Sequence, residues 1–494
     1  MYGYDSWTMA KQVRVRFAPS PTGFLHIGGL RTALYNWLFA RKHGGTFVLR
    51  IEDTDRSRLV EGAMDSMYSS LISMGLTPDE GFSPNGDIGA QGPYIQSKRR
   101  EKYLAYAYEL IKKDNAYYCF CDADALEKQK QEARKNKQPL MYSGQCRDID
   151  KKTAESRVAA GELNVIRLKT PNEGNIKMND LIRGEIEIGW DQVDDQVLIK
   201  SDGYPTYHLA ATCDDHDMEI SHVIRGEEWI SSLPKHVYIY ACFGWEMPEF
   251  AHLPLLLNPD MSKLSKRQGD VAVVDFLKKG YVPDALINFV ALLGWNPSAD
   301  REIYALDELV GQFDVTKVNK GGAVFNIEKL NWMNGQYIKK MEHDAYSDMA
   351  EPFLKNFPGE PEQKLRAAMI FQDRICVMSE LDELVKDLLC GCEEYPAERL
   401  VWKKSTSEEA KERLSGIRTF IESWREGDFE SIEEIEKKIK AFIKDKGWGN
   451  GDTLWPLRVA LSGQEKSPSP FEYIFVFRKE ECIRRIDAGL QTLA

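Results

Sequence analysis

The most regular alternation of apolar and polar residues occurs near the start of the chain. Val13, Val15 and Phe17 alternate with Arg14 and Arg16, which is the period-2 pattern of a half-buried strand. On this pattern, Arg16 leaves the core at the carboxyl end of the strand.

A helix and a second strand are predicted next. Prolines and a glycine at residues 19–23 prevent a helix in the turn, and Leu30, Leu34 and Leu38 then share one helical face. A further strand is predicted at residues 47–51. Strand, crossover helix and strand of this length should be parallel and right-handed, so both carboxyl ends open on one crevice. Such crevices bind nucleotides.

The turn before this helix contains His26, Gly28 and Gly29. Backbone N–H groups at a helix N-terminus favour phosphate, and glycine lets a ligand approach the backbone closely. Taken alone, the pattern is more often a capping histidine beside a glycine turn. It indicates a phosphate site only together with other motifs.

The segment 116–190 interrupts this fold. It contains a polar helix at 125–137 and short alternating strands such as 165–169 and 185–188. The sheet is predicted to resume at Val197–Lys200. Apolar spacing is helical from Ala285 onward, and residues 331–494 are predicted to be nearly all helix. The expected fold class is α/β: a Rossmann-type parallel sheet with an α+β insertion, followed by an all-α C-terminal region.

Composition narrows the classes of protein that remain. The 494 residues are too many for one core, and the hydrophobic and charged contents, 43% and 29%, are those of a globular protein. No apolar run approaches membrane-spanning length, so no membrane association is expected. Nine cysteines and an N-terminus unlike a secretory signal favour a reducing, cytoplasmic location.

The net charge of −12 argues against nucleic acid as a partner, because phosphate contacts dominate such affinity. Local basic clusters, such as Lys98–Arg100 and Lys437–Lys440, could still line a track for a polyanion. Each cluster alone is more often a solvated helix face. These residues by themselves do not predict an RNA-binding protein.

Ordered motifs change this interpretation, because they resemble those of class I aminoacyl-tRNA synthetases, specifically bacterial-type glutamyl-tRNA synthetases. The class signature His-Ile-Gly-His is similar to residues 26–29, with the Gly29 that the glutamyl branch commonly has, and Lys-Met-Ser-Lys-Ser is similar to residues 263–267. Six further similar segments follow the family's order: Arg16–Gly23, Arg50–Arg56, Gly92–Ser97, Lys200–Ala210, Val223–Trp229 and Asn331–Ile338. The resemblance covers nearly the whole chain after Lys11.

The resemblance implies an organisation into five segments. They are the first half of the catalytic domain (13–115), an acceptor-binding insertion (116–190), the second catalytic half (191–262), a signature loop with a stem-contact region (263–330), and a helical anticodon-binding region (331–494).

The implied reaction couples L-glutamate to ATP, supplied with Mg²⁺, and then transfers the glutamyl group to the 3′ end of tRNA(Glu). Its first step is attack of a carboxylate on a phosphorus atom, so catalysis is mostly positioning and charge neutralisation. The resemblance assigns catalysis to His26, Lys263 and Lys266. It assigns ATP binding to His26, Gly28, Gly29, Glu228, Leu256, Lys263, Ser265 and Lys266.

The resemblance also assigns a glutamate pocket. A desolvated arginine pairs bidentately with a carboxylate and is left partly unpaired by an amide, so charge separates glutamate from glutamine. Arg16 and Arg225 would have this role, while Glu52 would hold the ammonium. Ala211 departs from the asparagine usual in the family. The implied glutamate-binding residues are Arg16, Ala18, Ser20, Glu52, Tyr207 and Arg225.

A zinc site is implied within the insertion. Cys119, Cys121 and Cys146 resemble the zinc ligands of some bacterial relatives, and Asp148 stands where those relatives have histidine. Zinc accepts a carboxylate as well as an imidazole. The alternative is three buried thiols left after loss of the metal.

Three alternatives remain open from the residues. The chain could be a glutaminyl-tRNA synthetase, a non-discriminating enzyme that also charges tRNA(Gln), or a tRNA-binding pseudo-synthetase without activity. The helical C-terminal region argues against the short paralogue that modifies a tRNA base. Arg374 is the candidate for reading the third anticodon base. A monomer is expected.

Overall fold

The structure is a computed structural model that describes residues 12–137, 141–264, 272–298, 300–357, 359–390, 394–403 and 405–494. The chain forms two compact units. The first comprises Met1–Lys278 and Pro283–Leu330, and the second comprises Lys279–Val282 and Asn331–Ala494.

The described strands all lie in the first unit. In chain order they are β1 (Arg14–Phe17), β2 (Thr46–Leu49), β3 (Glu80–Gly81), β4 (Ala116–Cys119), β5 (Val165–Leu168), β6 (Asn175–Asp180), β7 (Gly184–Gly189), β8 (Val197–Ile199), β9 (His222–Gly226), β10 (Glu249–Leu253), β11 (Leu256–Leu257) and β12 (Ala323–Val324).

Helices of the first unit cover the sheets and connect them. They are α1 (Ile27–Lys42), α2 (Ala63–Ser73), α3 (Arg100–Lys112), α4 (Ala123–Lys135), α5 (Lys151–Ala159), α6 (Tyr207–Asp217), α7 (Leu233–Phe243), α8 (Val273–Lys278), α9 (Pro283–Ala291) and α10 (Leu306–Gln312).

Two parallel sheets meet at the first strand. β1 pairs with β2 in parallel, with Val15 opposite Phe47, and β9 pairs with β10 in parallel. At the junction, the backbone N–H of Ser221 donates to the carbonyl of Arg14 (2.9 Å). Successive crossovers therefore leave in opposite directions from β1 and β9. The crevice outside the carboxyl ends of these strands is where such sheets bind ligands.

The prediction that Arg16 leaves the core is wrong. Val15, Arg16 and Phe17 are all buried, and only 3% of Arg16 is exposed. A central parallel strand is covered on both faces, so it need not have a solvated side. Arg16 is accommodated because its Nε lies 2.9 Å from the carboxylate of Asp215 on α6, and a buried charge is tolerated when it is paired.

The sheet assignment around the insertion also differs from the prediction. The predicted strands near 165–169 and 185–188 are present as β5 and β7. The parallel sheet does not resume with β8, however, because β8 pairs antiparallel with β5 in a separate sheet of order β4-β5-β8. The β6–β7 hairpin extends the parallel sheet instead, where Asp180 lies opposite Phe250.

Along its described residues, the secondary structure of the second unit is helical, as predicted. Its first helix, α11 (Ile327–Lys339), begins at the end of the first unit. The remaining helices are α12 (His343–Leu354), α13 (Pro361–Met369), α14 (Leu381–Cys390), α15 (Ser407–Glu422), α16 (Ile432–Asp445), α17 (Asn450–Ser462) and α18 (Pro470–Thr492). Along the described residues, no helix combines the length and apolar character needed to cross a membrane.

Candidate active site

A cavity of about 800 Å³ opens at the carboxyl ends of β1 and β9. It brings together every predicted glutamate- or ATP-binding residue that the structure describes. These are Arg16, Ala18, Ser20, His26, Gly28, Gly29, Glu52, Tyr207, Arg225, Glu228, Leu256 and Lys263. Ser265 and Lys266 lie outside the described residues. Ala211 is buried in α6 and is not among the lining residues.

The turn at the start of α1 has its imidazole folded back on the helix end. His26 is the N-cap residue, and its Nδ1 accepts the backbone N–H of Gly29 at 3.1 Å. In the neutral ring, the proton is therefore carried by Nε2. A Cβ at Gly28 would lie 3.1 Å from this ring, so glycine leaves room for the imidazole.

Three arginines and three carboxylates form one buried ionic group beneath the cavity: Arg16, Arg50, Arg99, Glu52, Asp214 and Asp215. Arg50 lies at its centre, 2.7 Å from Asp215 and 3.2 Å from Glu52, and is fully buried. Arg99 pairs with Asp214 at 2.6 Å. With Glu52 ionised, the three positive and three negative charges balance, which favours keeping them out of water.

Glu52 has an unusual titration within this group. Burial raises the pKa of Glu52 to about 7, against the opposing effect of Arg50 and Arg16, and the nearby Asp215 raises it further. Without an additional cation, this carboxyl group therefore changes its charge near neutral pH. A ligand ammonium beside it would favour the carboxylate form.

Arg225, at the end of β9, is surrounded by neutral acceptors. Its Nε donates to His252 Nε2 (3.0 Å), and one terminal nitrogen lies 2.8 Å from the Tyr207 hydroxyl and 3.2 Å from His236 Nδ1. Only 5% of the residue is exposed. Among the described residues no carboxylate forms an ion pair with it. Its charge is thus left for an anion in the cavity.

The histidines around Arg225 stay uncharged at neutral pH. Burial, with the charge of Arg225 acting in the same direction, lowers the pKa of His236 well below its ordinary value. His208 Nδ1 contacts His236 Nε2. Burial also lowers the pKa of His208, to about 3. Burial likewise lowers the pKa of His252, although the contact with Asp180 opposes it.

Several of these residues were not identified from the sequence: Asp180, Asp214, Asp215, His236 and His252. Two signals were available. The run Asp214-Asp215-His216-Asp217 places acids at the end of a helix that is otherwise largely apolar. His252 stands inside the apolar strand β10, where a polar side chain needs a buried partner.

Three cysteines lie close together at β4 and the turn before α5. The sulfur atoms of Cys119, Cys121 and Cys146 all lie within 4.8 Å of one another. The hydroxyl of Tyr142 lies 3.4 Å from Cys119 Sγ and 3.2 Å from Cys121 Sγ.

Asp148 does not belong to this group of potential ligands. Cys146 and Asp148 lie in the same turn, in which Cys146 is buried and Asp148 is exposed. The turn therefore directs the carboxylate to solvent, while the thiol faces the other two cysteines.

In the second unit, Arg374 forms an ion pair with Glu472, and about half of its side chain is exposed. Glu472 is in the first turn of α18, where its carboxylate accepts the backbone N–H of Ser469 at 2.6 Å. The prediction that Arg374 reads an anticodon base stays a prediction.

The chain matches a family model of class I tRNA synthetases. The family model described as "tRNA synthetases class I (E and Q), catalytic domain" matches residues 12–332. A second model, described as an anticodon binding domain, matches residues 345–490. The two models together cover most of the chain.

Relatives that match over nearly their full length identify the family within this class. The glutamate–tRNA ligase of Chloroherpeton thalassium is 44% identical over 97% of this chain and 98% of its own length. That of Finegoldia magna is 44% identical over 97% and 99%. A crystal structure of a glutamate tRNA ligase from Elizabethkingia meningosepticum, in complex with its amino acid, superposes with a TM-score of 0.86 at 36% identity, covering 98% of this chain and 100% of that one. The chain belongs to the glutamate–tRNA ligase family.

Proposed function

We propose that the protein is a glutamate–tRNA ligase, which activates L-glutamate with ATP and Mg²⁺ and transfers it to the 3′ end of tRNA(Glu). The observation that carries this proposal is the buried guanidinium of Arg225, which lies in the cavity with neutral partners only. A substrate carboxylate would neutralise it. An amide would leave it without a counter-charge, which favours glutamate over glutamine.

The other lining residues have complementary roles in this proposal. Arg16 joins Arg225 in binding the side-chain carboxylate, Glu52 binds the ammonium, and Tyr207 closes the pocket. Ala18 and Ser20 contact the amino acid. On the nucleotide side, His26 donates to phosphate, and Gly28 and Gly29 let the phosphates approach the backbone of α1. Glu228 and Leu256 contact adenosine, and Lys263, Ser265 and Lys266 neutralise the leaving pyrophosphate.

The experiment that tests the function is a charging assay with purified tRNA(Glu) and tRNA(Gln), each supplied with glutamate or glutamine. We expect charging of tRNA(Glu) with glutamate. Charging of tRNA(Gln) with glutamate would identify a non-discriminating enzyme, and preference for glutamine would overturn the proposal. No charging and no ATP–pyrophosphate exchange, with tRNA present, would identify a pseudo-synthetase.

The pKa of Glu52 leads to a pH dependence. Because its carboxylate form binds the ammonium, the KM for glutamate should rise about tenfold for each pH unit below about 7 and become flat above it. Glu52→Gln should raise this KM and remove the slope. Glu101→Gln, which changes an exposed glutamate on α3, is the matched control and should keep the profile. A KM independent of pH between about 5.5 and 8 in the unaltered protein contradicts the assignment.

The segments of the chain have the roles that the family resemblance implies. Residues 13–115 and 191–262 belong to the catalytic domain, whose sheet the β6–β7 hairpin extends, and the segment 116–190 contains the part that binds the acceptor end of tRNA. Residues 263–330 form the signature loop and contact the stem. Residues 331–494 bind the anticodon, where Arg374 reads the third base. The match of residues 345–490 to an anticodon binding domain supports the last assignment.

The donor set at the three cysteines fits zinc. Tetrahedral zinc with bonds of about 2.0–2.3 Å places sulfur and oxygen ligands about 3.5–3.8 Å apart. The 3.5 Å separation of Cys121 Sγ and Cys146 Sγ, and the two contacts of Tyr142, lie near that range. We therefore assign a structural zinc to Cys119, Cys121 and Cys146, with the oxygen of Tyr142 in place of Asp148. Zinc would hold the shape of a segment with little apolar core.

We expect about one zinc per chain in protein purified without chelator. Tyr142→Phe should weaken zinc binding about tenfold or more, whereas Asp148→Ala should leave it within about twofold. Loss of metal should reduce tRNA charging more than glutamate activation. Metal analysis and competition with a chromogenic chelator measure these effects. Absence of zinc, with thiol titration unchanged by EDTA, would leave three ordinary buried thiols.

A further inference from the structure

We infer that Asp180 is a positioning residue for glutamate: it fixes the tautomer of His252, and His252 in turn holds the guanidinium of Arg225 in place. This inference rests on the proposed function, because it concerns the residue to which that proposal assigns the substrate's side-chain carboxylate. Asp180 and His252 do not line the cavity themselves.

The proton positions follow from the contacts. Arg225 Nε–H can only donate, so His252 Nε2, at 3.0 Å, must accept. The ring proton is therefore on Nδ1, which lies 2.6 Å from Asp180 Oδ2 and donates to it. Both side chains are fully buried, so water cannot supply another partner. The order of donors is then Arg225 to His252 to Asp180.

Asp180 is itself held by the backbone at the end of β6. Its Oδ1 accepts the N–H groups of Ile182 (2.9 Å), Arg183 (2.8 Å) and His252 (3.3 Å). These donors leave only Oδ2 facing the imidazole. The hydrogen bonds from His252 and from the backbone keep the pKa of Asp180 below its ordinary value in spite of burial. The carboxylate is therefore a fixed, charged acceptor.

The imidazole of His252 separates the negative charge of Asp180 from the positive charge of Arg225. Arg16 pairs directly with Asp215, through two of its nitrogens, and that carboxylate occupies part of the guanidinium. Behind Arg225, the negative charge of Asp180 lies one neutral ring away. It can offset the buried positive charge without occupying the N–H groups that face the cavity. Arg225 thus remains oriented and still lacks a carboxylate.

Asp180→Asn changes only one atom of this arrangement. The three backbone donors hold the amide oxygen at the position of Oδ1, so the NH₂ group faces His252 Nδ1. Nδ1 must then accept, and the ring proton moves to Nε2, where it meets Arg225 Nε–H. Two donors cannot remain 3.0 Å apart in this way, so the guanidinium must turn. A small misplacement of a binding group is sufficient to cost about 10²-fold in use of a substrate.

We expect Asp180→Asn to raise the KM for glutamate about tenfold or more and to leave the KM for ATP within about twofold, measured by pyrophosphate exchange with tRNA present. Asp195→Asn is the matched control, since Asp195 is a buried carboxylate that accepts a backbone N–H from Thr170 but does not line the cavity. It should not change the ratio of the two KM values. Equal increases in both KM values for Asp180→Asn would indicate general damage and overturn the inference.

A second variant separates positioning from folding. In His252→Phe the ring has no nitrogen and cannot pass a change at Asp180 on to Arg225, so adding Asp180→Asn to it should change the glutamate KM by less than about twofold. The same tenfold increase in both backgrounds would overturn the inference. In ¹⁵N-histidine spectra, the resonance that His252→Phe removes should belong to an Nδ1–H tautomer in the unaltered protein and to an Nε2–H tautomer in Asp180→Asn. An Nε2–H signal in the unaltered protein would also overturn the inference. Failure of the unaltered protein to charge tRNA with glutamate would instead overturn the proposed function.

Discussion

His26→Ala is expected to lower glutamyl-adenylate formation by about 10²-fold or more, which is the scale of losing one preorganised donor to a developing charge. His26 lies at the N-terminus of α1 with its Nδ1 engaged by Gly29, so its Nε2–H is the group that we assign to phosphate. Pyrophosphate exchange measures the loss. Binding of tRNA should change little, because the residue lies in the nucleotide part of the cavity.

The alanine variant also removes a helix cap, which typically costs about 1 kcal/mol of stability. His26→Asn separates the two effects, because asparagine is a good N-cap but cannot place a donor where Nε2 lies. We expect His26→Asn to unfold near the normal temperature and to be as slow as His26→Ala. His43→Ala, at the other end of the same helix, should retain full activity. Near-normal exchange in His26→Asn would remove the imidazole from the mechanism.

Arg225→Gln is expected to reduce kcat/KM for glutamate by about 10²–10³-fold, the scale of removing one partner from a desolvated charge pair. The KM for ATP should change little, and the relative tolerance of glutamine should rise, because an amide no longer faces an unpaired guanidinium. Parallel exchange assays with glutamate, glutamine and varied ATP measure all three effects.

Arg301→Gln provides the comparison for this variant. Arg301 is an exposed arginine of the same unit that pairs with Glu308, and it does not line the cavity. Its replacement should leave both KM values unchanged. If Arg225→Gln keeps its preference for glutamate and alters only the KM for ATP, then Arg225 belongs to the nucleotide part of the cavity and the assignment of the glutamate pocket is wrong.

Local patterns predicted much of the fold. The strands β1 and β2, the helix α1 and the helical second unit were all predicted, because apolar periodicity reports which face of an element is covered. The pairing of strands, in contrast, depends on residues that lie far apart in the chain. The predicted strand at Val197–Lys200 is therefore present as β8 but has a different partner, and the β6–β7 hairpin was not assigned to the parallel sheet.

Some residues of the candidate site were likewise identified from the sequence, and others were not. Motifs with fixed spacing identified His26, Glu52 and Arg225, whose roles stay predictions, while the structure places all three at one cavity. The acids that pair with buried arginines, such as Asp215, and the histidine behind Arg225 were not found, because they are distant in sequence from the groups they contact. Asp148 was chosen because it stands where relatives have a zinc ligand, and such a correspondence does not determine where a turn directs a side chain.

The ionic group beneath the cavity has a consequence for how the chain is made. Arg16 and Arg50 are separated from Asp215 by 199 and 165 positions, and Arg50 is completely buried. During synthesis, the first strands leave the ribosome long before Asp215 is made, and burying both arginines without this carboxylate is strongly unfavourable. The amino-terminal strands must therefore remain open to water until α6 has emerged. The amino-acid pocket can therefore form only after α6 has joined the first strands.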